Sequence, residues 1–96
     1  MTPEETRQQI KAIIQQVIPD KNLRIILYGS RARGDAHPNS DYDLALDAGY
    51  AIPGERLSLL KEKFEESTIP FKIDVVDLAV VSHDLKEYIV KEGEEW

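Results

Sequence analysis

The sequence predicts an α/β (α+β) chain, a small sheet covered by helices in the order α-β-α-β-α-β-α. Three observations predict it. Apolar residues recur at helical spacing in three stretches, near residues 3–18, 55–67 and 83–92. Between them lie short runs of strand character at Ile25–Tyr28, Asp41–Asp47 and Phe71–Val76. Proline, glycine or a capping residue marks most of the boundaries.

Thr2-Pro3-Glu4-Glu5 reads as a helix start. Thr2 can cap, Pro3 suits the first helical position, and Glu5 completes a capping box. Ile10, Ile13, Ile14, Val17 and Ile18 form one apolar stripe, and Pro19 ends it. Ile25–Tyr28 is continuously apolar, as in a central strand buried on both faces. Ser30–Arg33 begins a short helix that Gly34 closes. Pro38-Asn39 signals a turn. Tyr42, Leu44 and Leu46 then alternate with Asp41, Asp43, Ala45 and Asp47, giving a strand with one apolar and one acidic face. A second amphipathic helix runs over Glu55–Ser67, with Leu57, Leu60 and Phe64 inward. Phe71, Ile73 and Val75 alternate with Lys72, Asp74 and Val76 in a third strand. Ser82 caps a last helix, His83–Glu92, which stops at Gly93. Glu94–Trp96 is a frayed end or a short edge strand.

Twelve Lys+Arg against eighteen Asp+Glu give a net charge of −6. That opposes non-specific binding to a nucleic-acid backbone, which relies on many cations, and docking on an anionic membrane. A DNA template is not expected. There is no cysteine, hence no disulfide framework and no thiolate zinc site. The start is charged, with no secretory apolar core, and no apolar run reaches the roughly 18 residues that span a bilayer. A cytoplasmic protein is expected. The 96 residues are read as one domain, 1–96, with no room for a separate substrate domain, so part of the specificity is expected on a partner.

The chemistry lies in Gly29–Leu44, GSRARGDAHPNSDYDL. Asp41 and Asp43, two apart on a strand, are expected to share a face, and two like charges there need a neutralising partner. Two hard dications would satisfy the pair. Asp74 supplies a third ligand if its strand neighbours the second. Three carboxylates on two strands suggest a Mg²⁺–nucleotide site. Gly29 lets the backbone turn sharply and approach an anion, the next helix offers free N–H groups, and Ser30 adds a hydroxyl. Arg31 and Arg33 are candidate cationic contacts, although they cannot both face one point. A triphosphate held there would undergo nucleotidyl transfer, with Asp74 the candidate to hold the hydroxyl-activating metal and to accept the proton.

Gly29-Ser30-x-x-x-Gly34 followed by Ser40-Asp41-x-Asp43-Leu44 resembles the signature of the polymerase-beta-like nucleotidyltransferases, and the GSRARG wording resembles their minimal (MNT) branch. The match continues through Asp74 in KIDVVDL. The resemblance implies a mixed sheet of three to four strands with about four flanking helices. It implies that Gly29 and Ser30, with Arg33 and Ser40, hold the nucleotide, and that Asp41, Asp43 and Asp74 bind two Mg²⁺ and carry catalysis. It further implies ATP as substrate, a HEPN-type toxin as partner, and an antitoxin that transfers AMP to a toxin tyrosine. The alternatives are a contact-only antitoxin of the same fold and a small-molecule, antibiotic-type nucleotidyltransferase.

Among the other polar residues, Asp77 is read as a strand-end or turn residue on the face opposite Asp74, and Asp47 as solvated. Asp35 and His37 are assigned to a polar loop. Tyr42 is expected to face the core. Tyr50, Tyr88 and Trp96 are candidate partner contacts.

Overall fold

The computed structural model describes all 96 residues. Helix α1 (Pro3–Val17) begins with the expected capping box: Thr2 Oγ1 accepts the Glu5 N–H, and Glu5 accepts the Thr2 N–H. Strand β1 (Arg24–Tyr28) leads into α2 (Ser30–Arg33), which Gly34 closes in the left-handed region. Then come β2 (Tyr42–Asp47), α3 (Gly54–Glu66), β3 (Ile73–Asp77), α4 (His83–Glu92) and a two-residue β4 (Glu94–Glu95).

The sheet order is β3-β2-β1-β4. β1 is antiparallel to both β2 and β4, and β2 is parallel to β3, so the sheet is mixed. Antiparallel pairing puts Tyr28 opposite Asp43, and the parallel pair sets Asp43 opposite Asp74.

The sheet's alternation sorts the core into two parts. On one face Ile25, Leu27, Tyr42, Leu44, Leu46 and Val75 meet Ile10, Ile14 and Val17 of α1 and Leu60 and Phe64 of α3. Each fully buried aliphatic chain of this size contributes about 1.5–3 kcal/mol of apolar transfer. On the other face Ile26 and Ala45 pack with Leu78 and with Ile89 of α4. Helix α4 covers only part of that face. Beyond it, at the end where β1 stops and β2 and β3 start, stand Tyr28, Asp43 and Asp74.

Near the Asp43 end of the sheet, the starts of two strands differ from the expectation. Asp41 lies just outside β2, because the Ser40 carbonyl before it accepts the Arg31 guanidinium instead of a ladder N–H. Regular β3 starts at Ile73 rather than Phe71, although the Tyr42 N–H already donates to the Lys72 carbonyl. Glu94–Trp96 is the edge strand, fixed by the Trp96 N–H on the Ile25 carbonyl. No helix is long and apolar enough to cross a membrane.

Candidate active site

The site forms where β1 runs out. Gly29 takes φ +79° and ψ −155°, a backbone region essentially confined to glycine. A Cβ built there would stand 2.6 Å from Asp43 Oδ2. Glycine is therefore required twice, for the turn and for the carboxylate that lies against its Cα. The N–H groups of Gly29, Ser30 and Arg31 donate to no carbonyl, while those of Ala32 and Arg33 return to the Gly29 carbonyl. Three free donors thus stand at the turn whose Gly29 lies against the Asp43 carboxylate.

Asp43 is half-buried and its carboxyl is held above the ordinary carboxylate range. Burial is the main cause, followed by the negative charges of Asp74 and Asp41; Lys72 and Arg33 pull weakly the other way. The site is short of positive charge. The same field acts on Tyr28, a half-buried phenol whose pKa is raised by burial, then by Asp43 and Asp74. Its ring meets Tyr88 of α4 edge-on, at 6.4 Å between centroids.

No three acidic or imidazole side chains converge on one point as a ready metal cage. The repulsion between the carboxylates accounts for this. Asp43 turns to Gly29, exposed Asp74 lies 3.9 Å from Lys72 Nζ, and Asp41 is solvent-exposed. All three remain hard oxygen donors at one end of the sheet. That suits a cation such as Mg²⁺, which takes few protein ligands and completes its shell from water and phosphate.

The remaining expected residues divide. Ser30 is half-buried at the turn, and its side chain makes no hydrogen bond within the chain. Ser40 Oγ accepts the His37 N–H at 2.8 Å, which ties down the preceding loop. Arg33 is exposed; its Nε donates to Asp35 at 3.2 Å and its Nη1 to the Tyr88 hydroxyl. Arg31 is not free for a phosphate. Its guanidinium lies 4.0 Å over the Tyr42 ring and 5.0 Å from that of Phe71, and it donates to the Ser40 and Pro38 carbonyls. Asp47 is paired with Arg24 at 3.2 Å rather than simply solvated. Asp77, at the end of β3, is only 3% exposed and accepts the Ile52 and Ala79 N–H groups at 2.7 and 3.0 Å. Tyr42 faces the core as expected, and Trp96 packs against it at 6.2 Å.

Sequence reasoning missed Tyr28 at the site. The signal was present: Tyr28 ends a strand directly before Gly29, so any antiparallel neighbour carrying the Asp pair would set it beside a carboxylate.

A strand, a Gly-Ser turn and a short helix set against carboxylates on a mixed sheet define a nucleotide-transferring enzyme core. The family described as polymerase beta, nucleotidyltransferase matches residues 8–95, and the chain belongs to it. The probable protein adenylyltransferase MntA of Haemophilus influenzae is 38% identical over 82 residues, 85% of this chain and 70% of that protein. A chain of a toxin–antitoxin crystallised with AMP-PNP superposes with TM-score 0.77 at 31% identity, covering 93% of this chain and 71% of that one. Another, from the complex of a tri-AMPylated Shewanella oneidensis HEPN toxin with its MNT antitoxin, gives 0.76 at 25% identity, covering 99% and 72%.

Proposed function

We propose that this chain transfers AMP from ATP to a hydroxyl, a tyrosine of a HEPN-type toxin, and thereby acts as the antitoxin of a toxin–antitoxin pair. The observation that carries this reading is the contact between the Gly29 turn and the Asp43 carboxylate. It joins the turn with its three free N–H donors, suited to phosphate oxygens, to the strand that carries Asp43. The relatives named above supply the nucleotide and the partner class.

In this reading residues 1–96 act as one catalytic domain in the cytoplasm, where ATP is available. The N–H groups of Gly29, Ser30 and Arg31 hold the triphosphate, with the hydroxyls of Ser30 and Ser40 and the Arg33 guanidinium around it. Asp41, Asp43 and Asp74 hold two Mg²⁺. Bound there, the ions supply the charge that steadies the pyrophosphate leaving group and eases deprotonation of the acceptor. The acceptor oxygen forms a bond to the α-phosphorus as the bond to pyrophosphate breaks in line, and the acceptor's proton passes to an Asp74 Oδ. The chain contributes mainly position and charge.

The test combines the chain, a HEPN-type partner, MgCl₂ and α-labelled ATP. Label is expected on the partner and should fall at least about 100-fold, some 2.7 kcal/mol of barrier, with Asp41→Asn, Asp43→Asn or Asp74→Asn. Full neutralisation of the toxin by those variants would replace catalysis with contact alone.

A further inference from the structure

Arg31 is half-buried, and the transfer reaction described above uses its backbone N–H but not its side chain. Its side chain nevertheless touches the Pro38–Tyr42 segment and Phe71, which lies just before β3. It follows Ser30 in the phosphate turn. Its Nε and Nη2 donate to the Ser40 carbonyl at 3.0 and 2.7 Å, and Nη2 also reaches the Pro38 carbonyl at 3.2 Å. Its guanidinium covers the ring of Tyr42 and reaches that of Phe71. Asp41 stands between Ser40 and Tyr42, and Asp74 lies three residues beyond Phe71. Asp41 itself lies just before β2 and is exposed, and the one interstrand bond beside it, from the Tyr42 N–H to the Lys72 carbonyl, fixes only its C-terminal side. On its N-terminal side the backbone is held by the Arg31 fork on the Ser40 carbonyl, together with the Ser40–His37 hydrogen bonds.

We infer that Arg31 is a positioning residue: it sets Asp41 against Asp43 and Asp74 so that the three carboxylates can close on a divalent cation. The inference rests on the metal-dependent reading of the site. A planar fork is needed, because two parallel donations to one carbonyl fix both distance and direction. A lysine could keep the charge and the contact with the rings but not that geometry.

The test measures Mn²⁺ binding to the full chain with AMP-PNP by water-proton relaxation, and AMP-PNP binding alone in EDTA by calorimetry. The proteins compared are wild type, Arg31→Lys and Arg31→Gln. Both variants should weaken Mn²⁺ about 10–100-fold, the usual cost of losing a group that orients a metal ligand. Metal-free AMP-PNP affinity should change less than about 2-fold, since the turn N–H groups are intact. Full Mn²⁺ affinity in Arg31→Lys would overturn the inference, showing that charge or stacking suffices. A parallel loss of metal-free AMP-PNP affinity would also overturn it, by making Arg31 a phosphate contact. If wild type bound AMP-PNP but no Mn²⁺, the metal-dependent reading would fail and the inference with it. If wild type bound Mn²⁺ and the variants bound it equally, only the inference would fail.

Discussion

At the scale of single residues, Gly29 and Asp43 act as one unit. Gly29→Ala places a methyl carbon 2.6 Å from Asp43 Oδ2 and forces an alanine into a glycine-only backbone region. The backbone strain alone costs about 1–3 kcal/mol, and the variant should lose both transfer activity and denaturation midpoint. Asp43 gives the opposite sign. Its folded-state pKa lies above that of an ordinary aspartate, so the ionised form costs stability at neutral pH. That cost is relieved as pH falls through the raised value, and below the unfolded value both states are protonated. Metal-free Asp43→Asn should therefore melt higher than wild type at about pH 7, with the gap closing toward about pH 4. Added Mg²⁺ should reverse the order. At ten times its Kd it stabilises wild type by about 1.4 kcal/mol and leaves the variant nearly unmoved in thermal melts.

At the scale of elements, the end of β3 depends on a buried carboxylate. Asp77→Ala leaves the buried Ile52 N–H without its acceptor and also frees Ala79. Chemical denaturation should report a loss of about 1–3 kcal/mol. Gly93, where α4 hands over to β4, is constrained by crowding rather than by dihedrals. A Cβ there would come within 2.4 Å of both Ile26 Cγ2 and the Ile89 carbonyl oxygen. Gly93→Ala should lower the midpoint and loosen β4, read as faster hydrogen exchange at the Trp96 amide.

These elements also show what the sequence can disclose. The capping box at Thr2, the Gly29-Ser30 turn and the Asp-x-Asp pair are written within a few neighbouring residues, so local rules find them. Asp74 was legible as a carboxylate out of pattern on an apolar strand. Strand direction was not: it depends on how the irregular Asp35–Ser40 loop and the α3 crossover close, and neither carries a periodic signal. Arg31 reads as a phosphate ligand from its place beside the Gly29-Ser30 turn. Its real partners, Tyr42 and Phe71, meet only when β2 and β3 pair. The early start given to β3 came from an alternation that continues back through Phe71, which instead packs edge-on against Tyr42 at 5.5 Å.

At the scale of the whole molecule, the site occupies the end of the sheet that α4 leaves open, and the chain spans about 70% of its curated relative. The proposed acceptor is another protein. Asp43→Asn should therefore still bind a HEPN-type partner with a Kd within about 3-fold of wild type while failing to label it, since removing a single partly exposed charge changes affinity little. Pull-down with purified partner checks this directly. The mixed sheet has a kinetic consequence as well. β1 and β2 are antiparallel and joined through α2 and one loop, whereas β3 reaches β2 only after the α3 crossover and must dock parallel to it. Parallel pairings across such crossovers close late, because the loop entropy is spent before the contacts form. The Gly29–Asp43 half of the site should thus exist before Asp74 arrives. Leu44→Ala should slow refolding, and Val75→Ala should mainly speed unfolding. The mutual repulsion of the carboxylates would then fall on the last step of folding, which makes a bound cation a brake on unfolding as much as a reagent.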